Sequence, residues 1–112
     1  MTNLRRKGRW SIDLNLLALF VQMHRTQKRQ AGVRTAGEES GTSGSAISRI
    51  ENKHHVDAPT MLAVCRWIGA DPFWFLVDPA TGARATMPAA AALPPGVSRE
   101  TITETARETG AA

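Results

Sequence analysis

The residues able to do chemistry gather between Val33 and Asp57. In the stretch VRTAGEESGTSGSAISRIEN (33–52), the guanidinium of Arg49 stands among the hydroxyls of Ser45 and Ser48. Two short helices joined by a three- or four-residue turn, often with Gly, would bring these side chains together. Gly37 lacks a side chain where the first helix must lie close against the second. Gly41 falls where the turn requires a positive φ, which costs glycine little. Thr42 or Ser43 can cap the second helix. Ile47 and Ile50, three residues apart, point to the core, and Gly44, Ser45, Ser48 and Arg49 are left on the outward face. On a basic chain, such a face invites a polyanionic partner.

Bond-making chemistry finds little support. His54-His55 with Asp57 suggests a metal or acid–base site, but adjacent side chains diverge, no third ligand follows within reach, and His24 is distant. No nucleophile elbow is present. Cys65 is the single cysteine, so neither an intrachain disulfide nor a Cys-based zinc site can form. On the apolar side of a helical segment it reads as a small buried hydrophobe. No cofactor and no small-molecule ligand is implied, and an enzyme is the least supported class.

The charge is uneven. The 112 residues carry a net +4, but residues 1–56 hold ten Lys/Arg against four Asp/Glu, and residues 57–112 hold four against six. The basic half contains both an arm at residues 1–10, with Arg5, Arg6, Lys7 and Arg9, and the two-helix stretch. The length allows one small domain and excludes a barrel or a doubly wound sheet. The apolar run Leu14–Val21 contains Asn15, lacks a small-residue cleavage site after it, and is too short to span a membrane. A cytoplasmic protein, with no membrane partner, is expected. Arg outnumbers Lys, and Ala is abundant, which fits a GC-rich coding genome.

Five helices must position the outward face, and no strand is evident. Ser11 or Asp13 can cap the first, running to about Lys28. Ile12, Leu16, Leu19, Phe20 and Met23 share one side of it and Leu14, Leu17 and Val21 another, so it either buries two faces within the domain or meets a partner. The pattern breaks at 30–32. Helices follow at about Val33–Ser40, Gly44–Asn52 and Pro59–Ile68, the last stopped by Gly69, and then at Phe73–Val77. Trp67, Phe73, Trp74 and Phe75 read as core and rim, with either Trp74 or Phe75 left partly exposed. Of the 19 residues from Pro79 to Val97, 13 are Ala, Pro or Gly. Residues 80–112 are therefore expected to be a low-complexity flexible tail, with a short helix near 98–108 capped by Ser98.

The segment from Arg34 through Gly41-Thr42-Ser43-Gly44-Ser45-Ala46-Ile47-Ser48-Arg49-Ile50-Glu51-Asn52, followed by residues 58–72 and Phe73–Leu76, resembles the lambda-repressor/Cro-like, or XRE-type, helix-turn-helix family. The resemblance covers roughly residues 14–78. It implies an all-α, five-helix DNA-binding domain at 11–79, between the basic arm and the tail, of phage or actinobacterial origin given the composition. It also implies that the third helix enters the major groove. Carried over by position, Gly44, Ser45, Ser48 and Arg49 become the base-reading surface. Arg49 can bind guanine O6 and N7 with two hydrogen bonds. Arg34, Thr42 and Ser43 fall near helix N-terminal ends, placed for phosphates, and Asn52, Lys53, His54 and His55 fall where the family clamps the DNA backbone. Arg5, Arg6, Lys7 and Arg9 would form a DNA arm. Glu51 would brace the fold by pairing with Arg25 or Arg29.

Two positions depart from the family pattern. Val33 stands where Gln is frequent, and Gly44 removes a side chain from the first base-facing position. Arg49, DNA shape and the arm would then carry more of the recognition. The function implied is a sequence-specific, double-stranded-DNA-binding transcriptional repressor, blocking polymerase by occupying its operator. A homodimer, joined through the first helix or Trp74/Phe75, would span two half-sites. The alternative is a protein-interaction module, antitoxin-like, whose Ala/Pro tail folds on its partner.

Overall fold

The structure is a computed structural model and describes residues 10–27 and 32–111. It is mostly helical, with five α-helices and a three-stranded sheet among the described residues. Helix α1 spans Leu14–Gln27, α2 Val33–Ser40, α3 Gly44–Glu51, α4 Ala58–Ile68 and α5 Arg99–Ala111. Strands β1 (Ser11–Ile12), β2 (Leu76–Asp78) and β3 (Ala83–Arg84) lie in that order and pair antiparallel.

Local chemistry sets the helix ends. Asp13 begins α1: its Oδ1 accepts the Leu16 N–H at 3.0 Å. Ser43 and Asp57 cap α3 and α4 in the same way, accepting from Ala46 and Thr60 at 3.1 Å each. Pro59 stands in the first turn of α4, where its missing N–H is harmless. Gly69 ends that helix with φ +72.

The core is continuous from α1 to α5. Leu16, Leu17, Phe20 and Val21 of α1 pack with Ala36, Ile47, Ile50, Val64, Cys65 and Phe75, and the same cluster takes in Val97 and Ile102. Thus both apolar sides of α1 contribute buried residues to the core of the domain. Leu14, Leu19 and Met23 of the same helix stay only half-buried.

Three sequence expectations need correction. Phe73–Val77 is helical only at its start: Pro72–Phe75 forms a 3-10 helix capped by Asp71, and the chain then extends as β2. β-branched Val77 and its neighbour Leu76 pair with Ser11 and Ile12. Strands exist, but at two or three residues each they are too short to show an alternating pattern. Residues 80–111 are not a loose tail. Arg84 lies in β3, Pro88 is buried, and Val97, Ile102 and Ala106 join the core. The expected helix near 98–108 is α5, with Ser98 accepting the Thr101 N–H at 3.2 Å.

A buried polar clasp explains how so apolar-poor a segment docks. The Asp13 side chain is fully buried. Its Oδ2 accepts from Arg84 Nη2 at 2.9 Å and from Thr105 Oγ1 at 2.7 Å, and its Oδ1 lies 3.3 Å from Thr109 Oγ1. Arg84 also donates to the carbonyls of Trp74 and Ile102, both at 2.7 Å. Every charge in the clasp therefore meets an opposite charge or a dipole, which burial demands. The clasp joins the start of α1, β3 and α5.

Candidate nucleic-acid interface

Helices α2 and α3 meet through the three-residue turn Gly41–Ser43. A Cβ on Gly37 would sit 2.3 Å from the Ser43 carbonyl carbon, so only glycine permits this approach. Gly41 has φ +77; its N–H donates to Glu38 O at 3.2 Å, and that of Thr42 to Gly37 O at 2.8 Å. Ser40 Oγ bonds the Gly37 carbonyl at 3.1 Å and shares a bond with Thr42 Oγ1 at 2.8 Å. The hydroxyls of Thr42 and Ser43 are thus engaged in holding the turn.

Helix α3 is fixed on its inner side by buried Ile47 and Ile50. Its C-terminal end is held by Glu51, which receives two bonds from Arg25: Nε to Oε2 at 2.7 Å and Nη2 to Oε1 at 2.8 Å. These bonds raise the already high pKa of the Arg25 guanidinium. Of the two partners expected for Glu51, Arg25 is the one observed; Arg29 lies outside the described residues.

The outward face carries exposed Ser45 and Arg49, with Ser48 half-buried between them. Arg49 Nη2 donates to the His55 carbonyl at 2.9 Å, which ties the α3–α4 loop to the helix and uses one edge of the fork. Gly44 differs from expectation. A Cβ there would lie 3.2 Å from Arg34 Cα, so its open side faces the start of α2 and serves close packing. It offers no base-facing side chain, and none would fit without displacing α2.

Arg34 projects from the first turn of α2, its side chain 91% exposed and Glu38 at 3.9 Å. At the other end of α3 the chain turns at once: Lys53 adopts φ +64 and its N–H reaches Ile50 O at 2.9 Å. Asn52, Lys53, His54 and His55 are all exposed, with Asn52 Nδ2 donating to Ser48 O at 2.8 Å. Cationic and hydrogen-bonding groups thus flank α3 at both ends. Arm residues Arg5, Arg6, Lys7 and Arg9 lie outside the described residues.

Sequence reasoning missed Asp57 as a member of this face. No group of three or more His, Cys, Asp or Glu suited to a metal occurs among the described residues. Instead Asp57 lines a shallow groove with Ser43, Ser45, Arg49, His55 and Thr60. Its bonds from Thr60 hold its carboxyl below the usual carboxylate range, so it is ionised at neutral pH. The signal was present in the spacing Asp57-x-Pro59-Thr60, which marks a capped helix start beside the loop.

The other aromatic and cysteine expectations divide. Phe75 is fully buried, edge-on to Phe20 at 5.3 Å, and Trp74 is half-buried at 6.3 Å from the same ring. Of Trp67, Phe73, Trp74 and Phe75, the exposed one is Phe73, at 58%. Phe75 is therefore unavailable as a dimer contact. Cys65 is buried, and desolvation pushes its thiol up to about 12. No helix among the described residues is long and apolar enough to cross a membrane.

Comparison of the chain with protein-family models, with curated proteins and with solved structures gives no match.

Proposed function

We propose that the chain is a sequence-specific double-stranded-DNA-binding protein of the lambda-repressor/Cro-like helix-turn-helix kind, acting as a repressor by occupying its operator. Helix α3 enters the major groove, with Arg49 as the principal base reader and Ser45 and Ser48 as adaptable contacts. Arg34, Lys53, His54 and His55 contact phosphates on either side, aided by Asn52. The observation that carries this reading is the rigid mounting of the α3 face. Glycine-enforced contact at Gly37 and the Arg25–Glu51 pair fix the helix, while Arg49 stays exposed between basic flanks.

The turn hydroxyls support a narrower phosphate set than the sequence resemblance implies. Thr42 and Ser43 already serve the turn and the cap, so their contribution to phosphate binding comes through the turn they shape. Selection of bound sites from random duplexes tests the reading. A recovered motif containing guanine supports it; recovery of no motif, together with a stable complex with a protein partner, would replace it by the interaction-module reading.

A further inference from the structure

We propose that Asp57 is a specificity-determining residue of this face, accepting a hydrogen bond from the exocyclic N4 amine of a cytosine next to the guanine bound by Arg49. The inference rests on the DNA-binding reading above. Arg49 and Asp57 line one groove, yet among the described residues they form no ion pair. Arg49 turns one edge of its fork to the His55 carbonyl instead, and Asp57 turns one oxygen to the Thr60 N–H. A donor fork and an acceptor carboxylate are thus presented side by side, each held by a backbone group.

The pairing of functions matches a base-pair edge. In the major groove guanine offers two acceptors, O6 and N7, and cytosine offers a donor, N4. A carboxylate accepts from N4 and repels the acceptor edges of guanine and the phosphates. Thr60 meets the carboxylate through both its N–H and its side chain, and the exposed group keeps acceptor capacity on its outward side for N4. Its ionised state at neutral pH keeps it an acceptor. Other acids near α3 are turned to partners within the fold: Glu51 to Arg25, and Glu39 to the Trp67 indole N–H at 3.2 Å. Asp57 is the acid that stands in the groove itself.

The test uses the full chain and two charge-free variants, Asp57→Asn and Asp57→Ser, both of which keep a side chain that caps α4 well. Each protein selects sites from random duplexes, and affinities for the wild-type motif are then measured at one salt concentration. The expected result is a cytosine beside the guanine in the wild-type motif. That preference should be lost in Asp57→Ser, whose shorter hydroxyl takes either base edge, and shift toward adenine in Asp57→Asn, whose amide matches N6 and N7, with about 10-fold weaker binding of both to the wild-type motif. Identical motifs for all three proteins would overturn the proposal. So would tighter binding of the variants to every duplex alike, because the carboxylate would then face phosphates. Failure of the wild type to select any motif would instead count against the DNA-binding reading on which the proposal stands.

Discussion

Arg84 and Asp13, 71 positions apart in the chain, form a buried ion pair with Nη2 and Oδ2 2.9 Å apart. Their side chains are 5% and 0% exposed. The pair converts a segment rich in Ala and Pro into part of the domain, because it binds the cap of α1 to α5 through one guanidinium.

Removal of one partner should therefore be costly. Arg84→Met leaves the Asp13 carboxylate buried beside two threonines and should destabilise the chain by about 3–5 kcal/mol. Urea unfolding, followed by circular dichroism, measures this. A loss below about 1 kcal/mol would mean that α5 is held by apolar contact alone.

Gly37→Ala should disrupt the α2–α3 approach, since the added Cβ would fall 2.3 Å from backbone that cannot yield. Overpacking of this kind costs about 1–3 kcal/mol or more. Gly41→Ala meets no neighbour but must adopt φ +77, and its cost should come from backbone strain of about 1 kcal/mol. Thermal melts of the two variants should rank Gly37→Ala as the more damaging; the reverse order would contradict the packing argument.

Arg49→Ala and Arg34→Ala should separate base reading from phosphate binding. The first should lower affinity for the selected site by about 1–3 kcal/mol while leaving random duplexes nearly unchanged. The second should weaken all duplexes alike and reduce the salt slope by about 1. Competition with random DNA distinguishes the two patterns, and equal losses from Arg49→Ala would contradict its base-reading role.

Cys65 should resist alkylation in the folded protein, for burial both hides the thiol and pushes its pKa up to about 12, so little thiolate forms at neutral pH. Mass spectrometry after iodoacetamide treatment should show labelling that rises only with unfolding by urea. Rapid labelling under native conditions would mean that α4 opens locally.

The α2–α3 unit was legible in the sequence because each of its special positions is local. Gly37, Gly41 and Ser43 act on neighbours a few residues away, and the helix bounds Val33–Ser40 follow from them. Helices α4 and α5 were legible as elements, but the docking of the segment after Pro79 was not, because what holds it is remote in the chain. Val97, Ile102 and Ala106 look too sparse to pack until α1 supplies the rest of the surface. Asp13 reads as a helix cap, which it is, and nothing nearby announces Arg84 as its partner. Likewise, Leu76 and Val77 become a strand only because Ser11 and Ile12 lie beside them. Gly44 was placed outward by periodicity, and the tight contact with Arg34 that turns its open side inward depends on the angle between helices. Asp57 does not announce itself as a groove-mate of Arg49, since a loop turn at Lys53 lies between them in the chain.

Binding of duplex DNA by the α3 face, through phosphates and bases together, must respond to salt. Titration of a duplex carrying the selected site, repeated across salt concentrations, tests it most directly. Log K should fall linearly with log salt, with a slope of about −0.9 for each phosphate contacted, and the slope should shrink in Arg34→Ala. Binding that is absent at low salt, or independent of salt, would contradict it.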